Sequence, residues 1–88
     1  MSEEESLLSF PCAFPIKVMG IHSQHFEASM VMIARKHAPN LGEGAVKSRP
    51  SKNGNYLAVT ITIQAESREQ LDNLYRELTA HSDVKMVL

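Results

Sequence analysis

An α+β fold with element order βαββαβ is what this sequence predicts: a four-stranded antiparallel sheet with two helices on one face. Three observations predict it. Tyr56 to Ala65 alternates strictly between apolar and other residues, two segments carry apolar residues at helical spacing, and Asn53-Gly54 stands where a hairpin should turn. With 88 residues, 43% of them hydrophobic and 22% charged, the chain holds one small globular unit with a real core and little room for an enclosed catalytic cavity.

The first nine residues, with Glu3, Glu4 and Glu5 in a row, read as a loosely held acidic arm, and residues 10 to 88 as the domain. From Phe14 to Ile21 the chain alternates, with Phe14, Ile16 and Val18 on one side and Pro15, Lys17 and Met19 on the other, as a strand buried on one face requires. Gly20 then permits a sharp turn. Ser23 stands as the N-cap of a helix to about Ala38, stopped by Pro39, Asn40 and Gly42. Its core stripe is Phe26, Met30, Ile33 and His37; Val31 and Met32 lie off it, on a flank open to a partner.

Ala45 to Ser51 contains Pro50, which cannot donate to a ladder, and is therefore an edge strand. Asn53-Gly54 suits positive φ at both central positions of a tight turn. In the strand that follows, Leu57, Val59, Ile61, Ile63 and Ala65 form one face. Ser67 and Gln70 make a capping box ahead of Leu71, Leu74, Tyr75 and Leu78, a second amphipathic helix to about His81 with Asp72 and Arg76 as a pair one turn apart. Val84, Met86 and Leu88 alternate with Lys85 and Val87 in a last strand. This order is that of the split βαβ, or ferredoxin-like, fold with strand order 4-1-3-2.

Nine Lys plus Arg against ten Asp plus Glu give a net charge of -1, so nucleic acid is a disfavoured partner. The longest apolar run, Met30 to Ala34, is far too short for a membrane span. The N-terminus is acidic where a secretory signal is basic, and one cysteine cannot form an internal disulfide, which together point to the cytoplasm. Cys12 reads as a structural thiol.

Alternation places Lys17 and Met19, then Tyr56, Ala58, Thr60 and Thr62, then Lys85 and Val87 on the sheet face that the helices leave open. RNA recognition motifs stack bases on such a face, but only Tyr56 offers an aromatic ring here. Lys47, Arg49 and Lys52 lead into the hairpin and are either a solvated edge or a contact for an acidic protein surface or anionic ligand. His22 and His25 are three residues apart, yet a structural zinc site takes four Cys or His ligands and no such set is assembled, so no metal or cofactor is expected. Glu66 and Glu69 are solvent-facing charge, and no catalytic group or phosphate loop is visible.

The segments Phe10-Pro11, Lys17-Val18-Met19-Gly20, His37-Ala38-Pro39, Ser51-Lys52-Asn53-Gly54-Asn55-Tyr56, Leu74-Tyr75-Arg76-Glu77-Leu78 and Val84-Lys85-Met86-Val87-Leu88 resemble the YbeD-like family of small bacterial proteins nearly end to end. The resemblance implies a ferredoxin-like fold akin to the ACT regulatory domains and a link by genomic neighbourhood to lipoate metabolism. It implies no established reaction and supplies no catalytic residues. Amino-acid-binding ACT domains carry a glycine-containing turn after the first strand; here the chain reads Ile21-His22-Ser23-Gln24-His25 without a second glycine, which suits a different ligand. The expected function is a non-enzymatic cytoplasmic regulatory or adaptor module that binds a protein partner or its own copy. The alternative is an ACT-like sensor in which a dimer binds a small-molecule effector around Gly20, His22, Ser23 and His25.

Overall fold

The computed structural model describes residues 9 to 88, with Glu43 described by its backbone alone. All of the expected acidic arm except Ser9 lies outside the described residues. The elements are β1 (Cys12–Ile21), α1 (Phe26–His37), a 3-10 turn (Glu43–Ala45), β2 (Val46–Pro50), β3 (Tyr56–Ala65), α2 (Arg68–Ala80) and β4 (Val84–Val87). The strands pair antiparallel in the order β2-β3-β1-β4, the predicted 4-1-3-2 arrangement.

The core lies between the sheet and the helices. Ile16 and Val18 from β1 and Leu57, Val59, Ile61, Ile63 and Ala65 from β3 meet Phe26, Met30 and Ala34 of α1 and Leu71, Leu74 and Leu78 of α2. Strict alternation in β3 accounts for its share, because side chains two apart stand on one face. In α1 the fully buried line runs through Phe26, Met30 and Ala34, while Ile33 and His37 of the expected stripe are half-buried.

Gly20 departs from expectation. It lies within β1, which runs on to Ile21, and its role is space: a Cβ on Gly20 would stand 2.3 Å from Cζ and 2.4 Å from Cε1 of Phe26, and 2.5 Å from the Asp83 carbonyl oxygen. The first residue of α1 thus seats its ring on bare backbone. The helix also starts later than Ser23 suggests. His25 occupies the N-cap position without a side-chain cap, and the Ser23 hydroxyl accepts instead from the His25 N–H at 3.3 Å, closing a local turn. The placement of Phe26 over Gly20 fixes where the helix begins, and Ser23 is then too far upstream to cap it.

The β2–β3 connection is longer than a two-residue turn. Gly54 alone has positive φ, at 77°, and its N–H donates to the Ser51 carbonyl at 2.9 Å, while Ser51 and Tyr56 close the loop through Ser51 N–H to Tyr56 O at 2.8 Å. The Ser51 hydroxyl accepts from Tyr56 N–H, which satisfies a backbone donor inside the loop and stabilises the wider turn. Asn53 therefore has no need of a left-handed conformation.

In α2 the Ser67 hydroxyl caps Gln70 N–H at 3.1 Å, and the Gln70 side chain reaches back to Glu66 N–H, one residue earlier than the usual reciprocal box. The Gln70 amide also donates to the His37 carbonyl at 2.9 Å, so the end of α1 is tied to the start of α2. Asp72 pairs with Arg68 rather than Arg76, whose guanidinium meets Asn73 instead.

Candidate functional site

The open sheet face is built by register. Lys17 of β1 and Lys47 of β2 both stand opposite Thr60 of β3, one on each side, and Met19 and Arg49 both flank Ala58. Ile21 pairs with Tyr56, and Met19 with Met86 of β4. Leu88 exchanges both backbone hydrogen bonds with Lys17, at 3.1 and 2.8 Å, which puts its side chain on the Lys17 face as well.

A register shift between Met19 and Gly20 makes Met86, not Val87, the β4 residue on this face. Val87 stands opposite Val18 and packs with Val84 against the core, which overturns the alternation expected for the last strand. Lys85 falls at the irregularity, exposed and without a paired residue on β1. The physical reason is that two β-branched valines three apart both reach the core once one extra residue is accommodated between them.

The consequence is a concentrated apolar patch. Among the described residues five large apolar side chains are exposed, and Ile21, Tyr56, Met86 and Leu88 share this one face, with only Met32 elsewhere. Beside them lies a depression of about 240 Å³ lined by Lys17, Met19, Arg49, Pro50, Ser51, Tyr56 and Ala58. Ala58 creates it, because a methyl between the longer side chains of Met19 and Arg49 leaves the sheet surface low at that point. No side chain on the face from β1 to β4 is a carboxylate, and among the described residues Lys17, Lys47 and Arg49 make no ion pair. Four acids among the described residues, Glu27, Glu69, Asp72 and Glu77, lie on the helices, where Glu27 accepts from the Ser48 hydroxyl and Glu77 is held by Lys36 and His37.

The other candidate residues separate from this site. Gly20 is buried beneath Phe26, whereas His22, Ser23 and His25 are exposed on the following turn. The His22 ring Nδ1 lies 3.0 Å from the Gly54 carbonyl, and His22 N–H donates to the Asn55 carbonyl at 3.0 Å, so this turn is fastened to the β2–β3 loop. Lys52 is exposed in that loop. On α1, Val31 is half-buried and Met32 is 73% exposed, so the flank expected to be apolar narrows to one methionine. The open face expected from the sequence lacks Met86, Ile21 and Leu88, which the structure places on it. For Met86 the available signal was the pair of β-branched valines at 84 and 87, both suited to a core.

His37 and Glu77 form a second polar feature. The imidazole Nε2 and the Glu77 Oε1 are 2.7 Å apart, and Lys36 Nζ stands 3.2 Å from Oε2. Hydrogen bonds from His37 and then Lys36 hold the Glu77 carboxyl below the usual carboxylate range. A depressed folded pKa contributes stability above the unfolded value that is lost as pH falls through the folded one. Acid titration of the melting midpoint should therefore cost the wild-type protein more than Glu77→Gln, the two curves converging once the carboxyl is protonated in both states. Because Glu77 is only half-buried and Lys36 is exposed, the gap should narrow with added salt, and parallel curves at low salt would contradict it.

The family model described as "Protein of unknown function (DUF493)" matches residues 5–88. A UPF0250 protein of Leptothrix cholodnii is 54% identical over 85 residues, covering 97% of this chain and 93% of the relative.

The chain belongs to this family.

A UPF0250 protein of Janthinobacterium is 50% identical over 96% of this chain and 92% of its own length, and one of Neisseria gonorrhoeae is 46% identical over the whole of both. The DUF493 description states no reaction, so the chemistry of this member is read from its residues. No helix among the described residues is long and apolar enough to cross a membrane.

Proposed function

We propose that this DUF493 member is a non-enzymatic, cytoplasmic binding module of the adaptor or regulatory kind, and that its open sheet face engages a protein partner. The single observation that carries this reading is the coincidence on one face of exposed Ile21, Tyr56, Met86 and Leu88 with Lys17, Lys47 and Arg49, cations that have no ion pair among the described residues. Exposed apolar clusters rimmed by charge mark interaction surfaces. A second copy of the chain is disfavoured because a twofold interface presents the same patch twice and gathers both sets of cations with no carboxylate on either face to offset them.

The test compares two variants of the purified protein. Met86→Glu together with Tyr56→Glu places charge in the patch, and Met32→Glu places it on α1. A partner is recovered with wild type, identified, purified and titrated against all three by calorimetry. The face variant should bind at least ten-fold more weakly at an unchanged melting midpoint, and Met32→Glu should bind normally. Equal affinity for all three would overturn the reading.

One observation favours a second reading, an effector bound at the turn of His22, Ser23 and His25. That turn is fastened to the same loop that supplies Ser51 and Tyr56 to the depression, so a ligand there would bear on the face. A melting-point rise with an amino acid, lipoate, octanoate or nucleotide, abolished by His22→Ala with His25→Ala, would support it; a ligand at 100 times its Kd stabilises by about 2.7 kcal/mol.

A further inference from the structure

We infer that the depression between Lys17 and Arg49 is an anchor site for a single carboxylate side chain, Asp or Glu, presented by an acidic, otherwise apolar segment of the partner. The inference rests on the open face being the binding surface and specifies what that surface recognises.

Lys17 and Arg49 approach the hollow diagonally across β3, Arg49 from beside Ala58 and Lys17 from beside Thr60, with two strand spacings, about 10 Å, between their strands. Neither has an acidic partner among the described residues, so an incoming carboxylate meets two unspent positive charges. Arg49 can take it through a forked pair of N–H donors while Lys17 acts as a point charge. The Ser51 hydroxyl accepts from Tyr56 N–H and keeps its own hydrogen to donate. Met19 and Ala58 give an apolar floor for the methylene stem of an Asp or Glu.

Size selects the kind of occupant. At about 240 Å³ the hollow is smaller than the roughly 300 to 1,000 Å³ of ordinary small-molecule sites, which fits one side chain held by a larger contact. The larger contact is the apolar patch next to it, so the anchoring acid is flanked by apolar residues. An RNA phosphate would meet the same cations, but its bases would find one aromatic ring, Tyr56, where stacking needs several.

A random peptide library displayed on phage, selected on the intact protein, tests this without assuming a sequence. Enriched peptides should share one Asp or Glu among apolar residues. Replacing that acid by its amide, or the protein's Lys17→Gln with Arg49→Gln, should weaken binding at least ten-fold at an unchanged melting midpoint. Peptides that lack a shared acid yet lose binding to the Met86→Glu, Tyr56→Glu protein would overturn the carboxylate anchor and leave the face reading standing. Peptides insensitive to both pairs of changes, or no enrichment, would overturn both. Competition by an RNA oligonucleotide as strong as by the acidic peptide would assign the cations to phosphate and overturn the inference.

Discussion

Gly20→Ala is expected to destabilise the protein by about 3 kcal/mol, the upper end of what overpacking usually costs, which lowers the melting midpoint by roughly 15 °C in a domain of this size. The new methyl would lie 2.3 Å from a ring carbon of Phe26 and 2.5 Å from the carbonyl oxygen of Asp83. The ring is the first residue of α1 and 1% exposed, with no free space to swing into, and the carbonyl already accepts the Ile21 N–H at 3.0 Å in the β1–β4 junction. Relief on one side therefore strains the helix start and on the other breaks strand pairing. Thermal melts followed by circular dichroism check this; a midpoint within a few degrees of wild type would mean that the ring does not rest on Gly20.

Phe26→Ala is expected to cost about 4 kcal/mol through lost burial and the cavity left behind. Phe26 is among the largest fully buried side chains, packs edge-on to His81 at a centroid distance of 6.4 Å, and begins a helix that has no side-chain cap. Its burial therefore sets the helix start where hydrogen bonding does not. Combining the two substitutions separates the causes. In the Phe26→Ala background the alanine at position 20 no longer meets a ring but still meets the Asp83 carbonyl, so its penalty should fall without vanishing. Additive denaturation free energies for the double variant would show the two sites to be independent and contradict the contact.

The fold was legible wherever one period ran unbroken. Ten residues of alternation in β3 placed five side chains in the core, and Pro50 placed β2 at the edge, which together leave one strand order. What escaped the sequence depends on contacts between distant segments. Ser23 has the chemistry of an N-cap, but the position of Phe26 over Gly20 moves the helix start away from it. Asn53-Gly54 invites a two-residue turn, but the Ser51 hydroxyl stabilises a wider loop. The candidate site was half visible: Lys17, Met19, Tyr56 and Ala58 follow from alternation and Arg49 stands out only as part of the basic cluster ahead of the hairpin, whereas Met86 reaches the face only through a shift in register that no local pattern announces. The same shift withdraws Val87 into the core, so one irregularity changes both the size of the patch and what fills the interior.

The pairing of β1 also bears on how the chain reaches this structure. Of the three strand pairs only β2 and β3 are joined by a short loop; Cys12 finds its partner at Ala65, and Met19 finds Met86. A central strand whose two neighbours both come from far along the chain must close long loops before either ladder repays the lost entropy. Topology should accordingly slow folding relative to a helical bundle of the same length, because β2–β3 is the one local strand pairing and both ladders of β1 wait on the closure of long loops.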